Sequence, residues 1–233
     1  MTSAARPTGI ALEAHGLYHI YHEREVETVA LRGTEVTLDS RSWTSLVGPS
    51  GCGKSTLVHV LAGMLEPSGG SVLIDGEDIT RLSSSDRAIR RRRRIGVVLQ
   101  RQNLHPLLDV GDNVALPLRL DERPPRDVVA RVSELLDAVG LADRTRQPVR
   151  ELSGGESQRV AIAVALAARP AVLLADELTG ELDEETTETV LDVLEAMRDR
   201  EGTAILTVTH NPVVAERADR QLAMRDGVLV DVS

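Results

Sequence analysis

The chain has 233 residues, 42% of them hydrophobic and 27% charged, with a formal net charge of −9, which fits an ordinary globular protein and excludes a disordered or fibrous one. Its longest unbroken apolar run, residues 160–168, is about half of the roughly 20 residues that a helix needs to cross a bilayer. One cysteine, Cys52, excludes an intrachain disulfide and a cysteine zinc cluster, and 36 acidic against 27 basic side chains argue against nucleic acid as a partner. The opening Met1-Thr2-Ser3-Ala4-Ala5-Arg6-Pro7 has no apolar stretch of the signal-peptide kind, so a cytoplasmic location is expected.

Along the chain, extended patterns fall at residues 11–21, 35–38, 43–47, 71–74, 95–99, 171–175 and 203–208. Helical patterns follow Gly53 (Leu57, Val60, Leu61), run over 127–139 (Val128, Val132, Leu135, Leu136, Val139) and recur at Val190, Val193, Leu194 and Met197. Strands alternating with helices predict an α/β fold with a mostly parallel sheet covered on both sides. Between Gln100 and Pro148 the pattern changes to helices and proline-marked turns. That stretch, about 101–147, is read as a helical subdomain inserted into one domain whose α/β core is 1–100 and 148–233. The arginine run 90–94, with Arg87, is read either as a solvated helix face or as a contact for lipid headgroups.

Twenty-six of the 27 basic residues are arginine, and the one lysine is Lys54. It stands in Gly48-Pro49-Ser50-Gly51-Cys52-Gly53-Lys54-Ser55-Thr56, which fits G-x-x-x-x-G-K-[ST] between a strand and a helix. Such a loop turns backbone N–H groups and a helix N-terminus onto phosphate oxygens. Lys54 would then bridge the β- and γ-phosphates, and the Ser55 hydroxyl would ligate Mg²⁺. Downstream, the apolar strand 171–175 runs into Asp176 and Glu177. Asp176 suits the metal, and Glu177, pointing elsewhere, suits a base for the attacking water. Cys52, inside the loop and near a helix N-terminus, is expected to react with maleimide.

The segment Leu152-Ser153-Gly154-Gly155-Glu156-Ser157-Gln158-Arg159 opens a second helix N-terminus of the phosphate-binding kind. With it the sequence, from about residue 11 to the end, resembles the ATP-binding subunit of ATP-binding cassette (ABC) transporters. The resemblance implies a P-loop NTPase core with an N-terminal antiparallel part, and ATP and Mg²⁺ as ligands. It also implies an ATP-dependent homodimer closing two sites head to tail, with Ser153, Gly154, Gly155 and Glu156 on the partner's nucleotide. Gln100 matches the glutamine that contacts Mg²⁺ or its water. Gly180-Glu181-Leu182-Asp183 matches the D-loop at the dimer interface, with Asp183 facing nucleotide. His210 matches the switch histidine on the γ-phosphate, and Tyr21, with Tyr18 as second choice, matches the aromatic that stacks on adenine.

Leu178, Glu181, Val164 and Arg41-Ser42 depart from the family pattern without removing a phosphate, metal or water ligand. The stretches AVLLADELTGELD and NLHPLLDVGDNVALPLRL look most like the lipoprotein-release, macrolide-export and cell-division subgroup. That implies separate integral membrane subunits, and a place on the inner face of the cell membrane. The apolar residues 104–118 imply a docking groove, with Leu107 and Leu108 at its rim. The rival readings are a soluble ABC ATPase outside transport, a small-molecule kinase, and a nucleotide-gated regulator with slow turnover.

Overall fold

A computed structural model describes residues 9–23, 26–100, 103–180 and 182–232. The expectations that fall on residues 1–7 and on Glu181 lie outside them. The chain opens with two long antiparallel strands, β1 (Ile10–Glu23) and β2 (Val26–Asp39), then β3 (Trp43–Val47) and α1 (Lys54–Leu61). A short pair, β4 (Gly69–Ile74) and β5 (Glu77–Asp78), leads to α2 (Ser84–Arg94) and β6 (Ile95–Val98). Three helices follow, α3 (Val110–Leu120), α4 (Pro125–Ala138) and α5 (Gly154–Leu166). The chain ends with β7 (Val172–Asp176), α6 (Glu184–Glu201), β8 (Ala204–Val208), α7 (Pro212–Arg217), β9 (Arg220–Arg225) and β10 (Val228–Asp231).

Two sheets result. One is antiparallel, in the order β2-β1-β4-β5; the other runs β10-β9-β3-β8-β7-β6, parallel from β9 to β6 with β10 antiparallel at its edge. Strands buried on both faces divide their side chains between two cores, as alternation requires. Trp43, Leu173 and Ile205 join the core built with α3 to α6, whereas Leu46, Leu174 and Leu206 join the core shared with α1 and the antiparallel sheet.

The strands expected at 43–47, 71–74, 95–99, 171–175 and 203–208 form within two residues of those limits, but β2 is far longer than 35–38. Its first half has little apolar alternation and owes its extension to pairing with β1. The hairpin of β9 and β10 went unread, although Asp226-Gly227 between alternating apolar residues is a tight-turn signal.

The arginine run belongs to α2, a helix with no buried residue, so it lies on a solvated helix face, and its guanidinium groups pair with partners in the same chain. Arg87 pairs with Glu66 at 3.4 Å and Arg90 with Glu77 at 2.8 Å, while Arg91 donates to the Gly63 carbonyl at 3.1 Å and Arg94 pairs with Asp75. Arg92 and Arg93 both donate to Asp121, at 2.8 and 3.0 Å. Asp121 closes α3, where a carboxylate opposes the helix dipole, and the two arginines offset that. α2 is thereby stapled to the helical stretch it precedes in sequence.

Burial alone would raise the Asp121 carboxyl, but the hydrogen bonds from Arg93 and Arg92 outweigh it and hold the group below the ordinary carboxylate range. The folded state therefore favours the charged form. Its contribution is complete above the unfolded pKa of about 4 and is lost as pH falls through the lower folded value. We expect Asp121→Asn to cost about 1–2 kcal/mol at pH 7, a fall of about 3–6 °C in Tm for a chain of this size. The gap from wild type should close in thermal melts below about pH 3.

Candidate active site

β3 lies near the centre of the parallel sheet, and its C-terminal end opens directly into the glycine loop. Gly53 takes a φ of 110°, and a Cβ there would lie 2.4 Å from the Ala30 carbonyl oxygen of β2. At Gly48 a Cβ would lie 2.4 Å from the Met224 carbonyl oxygen of β9. Only glycine lets the loop run so close to both neighbours. Gly227, at the tip of the β9–β10 hairpin, completes the grip. Its N–H donates to the Cys52 carbonyl at 3.0 Å, and its carbonyl accepts from the Arg32 N–H at 3.0 Å and the Thr34 hydroxyl at 2.7 Å. The sequence marks Gly227 as a turn residue but gives no sign of its link to Thr34.

Within the loop, buried Lys54 donates from Nζ to the carbonyls of Gly48 and Pro49, at 2.7 and 2.8 Å. α1 has no side-chain cap at Gly53, so the N–H groups of its first turn are open to an anion. They border a cleft of about 410 Å³ lined by Gly51, Cys52, Gly53, Lys54, Ser55, Thr56, Tyr21 and Asp226 among others. An ammonium, an uncapped helix and a polar cleft suit a phosphate chain. Tyr21 stands at the cleft, its hydroxyl 3.3 Å from Thr56 Oγ1. Tyr18 does not line it and instead lies over Gly33.

The other strand-end residues gather along the same edge, because β3, β8, β7 and β6 are neighbours in that order. Asp176 is the buried last residue of β7. Glu177 follows with a left-handed φ of 57°, its N–H donating to the Val208 carbonyl at 3.0 Å. Its carboxylate sits 3.4 Å from Nε2 of His210, an exposed residue just past β8. Gln100 is exposed beyond β6, and the chain before it is clamped by Asn103, whose Oδ1 accepts the Leu99 N–H at 2.7 Å while its amide donates to the Leu99 carbonyl.

Ser153, Gly154, Gly155 and Glu156 are elsewhere: none of them lines the cleft. They form the outward-facing first turn of α5, closed by a reciprocal capping box. The Glu156 carboxylate accepts the Ser153 N–H at 2.9 Å, and Ser153 Oγ accepts the Glu156 N–H at 3.2 Å. The N–H of Ser153 is the main reason that the Glu156 carboxyl lies below its usual range. Asp183 likewise caps α6, accepting the Thr186 N–H at 2.8 Å, which lowers its carboxyl. Both carboxylates thus also build the turns that they cap.

Cys52 departs from the expectation of a reactive thiol, since it is buried within the loop. Maleimide labelling of the native protein should be at least about tenfold slower than labelling of the guanidinium-unfolded chain. Equal rates would show that the loop opens freely in solution.

Comparison with known proteins agrees with this geometry. The ABC transporter family matches residues 31–180. The lipoprotein-releasing system ATP-binding protein LolD of Hyphomonas neptunium is 42% identical over 221 residues, covering 94% of this chain and 96% of its own. Among solved structures, the dimeric bacterial ABC transporter cassette MJ0796 superposes with a TM-score of 0.89 at 32% identity, covering 95% of this chain and 99% of its own. A post-hydrolysis dimer of the same cassette, bound to ADP and Pi, superposes equally well at 31% identity. The chain belongs to the ABC transporter family, and its fold is that of the family's ATP-binding cassette.

Proposed function

We propose that two copies of this chain close head to tail over two molecules of ATP, each site formed by the glycine loop of one copy and the Ser153 to Gly155 turn of the other. The observation that carries this reading is the separation, within one chain, of the uncapped start of α1 in the cleft from the exposed Ser153-Gly154-Gly155 start of α5, which does not line it. The chain is an ATPase. Lys54 and the first-turn N–H groups of α1 hold the β- and γ-phosphates, and Tyr21 packs on adenine. Glu177 takes the proton of the attacking water, and His210, 3.4 Å from it, holds the γ-phosphate side of the site.

Ser55, Asp176 and Gln100 would hold Mg²⁺, which neutralises charge building on the phosphates. These are hard oxygen donors, as that ion prefers, and no group of three or more His, Cys, Asp or Glu side chains converges among the described residues. That fits an ion bound largely through substrate phosphates and water.

No helix among the described residues is long and apolar enough to cross a membrane. We place the chain on the cytoplasmic face of the membrane, coupled to separate membrane subunits. The likeness to LolD supports a lipoprotein-release type of work. In this reading residues 103–120 face the membrane subunit. Val110, Val114 and Leu118 are buried in the core and Leu108 is half-buried, whereas Leu107 is 87% exposed. Leu107 is therefore the more accessible of the proposed pair, with half-buried Leu108 beside it.

Glu177→Gln should bind ATP normally, hydrolyse it about 10²–10³-fold more slowly and elute from gel filtration with ATP as a dimer. A monomer with wild-type turnover would sink both the base and the dimer. Leu107→Glu should leave the ATPase rate of the isolated subunit within about twofold of wild type while abolishing co-purification with the membrane subunits. Retained co-purification would move the docking site elsewhere.

A further inference from the structure

The segment after Glu177 is held from two sides. Leu178 and Thr179 are both buried. The Leu178 carbonyl accepts an N–H from the Gln158 side chain at 3.0 Å, and Gln158 stands on α5 about one turn beyond Ser153, Gly154 and Gly155. From the opposite side the Asn211 amide donates to Thr179 Oγ1 at 3.4 Å, and Asn211 directly follows His210. The Gly180 N–H closes the segment with a turn onto the Glu177 carbonyl at 3.3 Å.

Gln158 is only 7% exposed, and Val160, Ala161 and Ile162, which follow it on α5, are all buried. A buried amide is costly unless it is bonded. Its hydrogen-bond partner is a main-chain carbonyl 20 residues away, next to the residue proposed as the base. α5 is an unbroken helix of 13 residues, so a push on its first turn moves Gln158 with it. Glu177 is already at a left-handed φ of 57°, where a small rotation of the following peptide re-aims its carboxylate relative to His210.

We propose that Gln158 is a positioning residue that links the two nucleotide sites: contact of the Ser153 to Gly155 turn with the partner's nucleotide is passed through α5 and the Gln158 amide to Glu177 of the chain's own site. The link rests on the head-to-tail dimer proposed above. It makes hydrolysis at one site depend on occupancy of the other, through a bonded route inside one chain.

Two full-length variants test it. Gln158→Met keeps length and volume but removes the donor, and Gln158→Glu sets an acceptor against the carbonyl. ATPase rate against ATP concentration, binding of a fluorescent ATP analogue to dilute monomer, and gel filtration with ATP are measured for each. Wild type should dimerise and show a Hill coefficient near ~2. Gln158→Met should fall towards ~1 with kcat about tenfold lower and unchanged analogue affinity, and Gln158→Glu should fall further. A Gln158→Met protein with wild-type cooperativity and kcat would overturn the proposal. So would one that loses analogue affinity in step with rate, or one that does not fold, since either would assign the amide to the fold. A wild type that stays monomeric and non-cooperative in ATP would instead overturn the dimer reading itself.

Discussion

The candidate site depends on how closely three backbones meet at the glycine loop. Carbonyl oxygens of Ala30 and Met224 occupy the space that a Cβ would need at Gly53 and Gly48, and Gly227 ties the hairpin tip to both the loop and β2. A loop clamped on both flanks cannot relax its N–H groups away from the cleft. That is the condition for binding phosphate without reorganisation. The antiparallel sheet and the terminal hairpin thus set the stiffness of the glycine loop.

Helix capping decides which N-termini are available. α1 begins at a left-handed glycine with no side chain to close it, so its positive end is free for an anion from within the same chain. α5 and α6 begin with Ser153 and Asp183, whose side chains already accept first-turn N–H groups. Their capped ends can meet a ligand only from outside, and the first-turn glycines of α5 leave room for that approach. One fold so presents a phosphate cleft at α1 and, away from it, an exposed turn at α5.

The motifs were legible in the sequence because each is a run of adjacent residues with fixed chemistry: the glycine loop, Asp176-Glu177 after an apolar strand, and Ser153-Gly154-Gly155 before a helix. The parallel strands were legible too, since short apolar runs bounded by glycine and proline leave few alternatives. What supports the motifs was not. Thr34 meets Gly227 across 193 positions, and Asn103 acts on the backbone of Leu99, neither with any periodic signal. The arginine run looked like one feature by composition, yet its members take separate partners on Glu66, Glu77, Gly63, Asp121 and Asp75. The family resemblance places Glu156 and Asp183 at nucleotide, and only the structure shows that both also cap their own helices.

Leu178 stands where the family pattern has proline. Proline at this position would fix its own φ and push the residue before it towards extended backbone, whereas Glu177 here is left-handed. Leucine tolerates that neighbour. Its side chain, 1% exposed in the core, supplies by packing the order that a ring would supply covalently, and its carbonyl is fixed by Gln158. The segment after Glu177 is thus tied to α5 beside it. Movement of α5 would therefore reach the residue next to Glu177 through this one hydrogen bond.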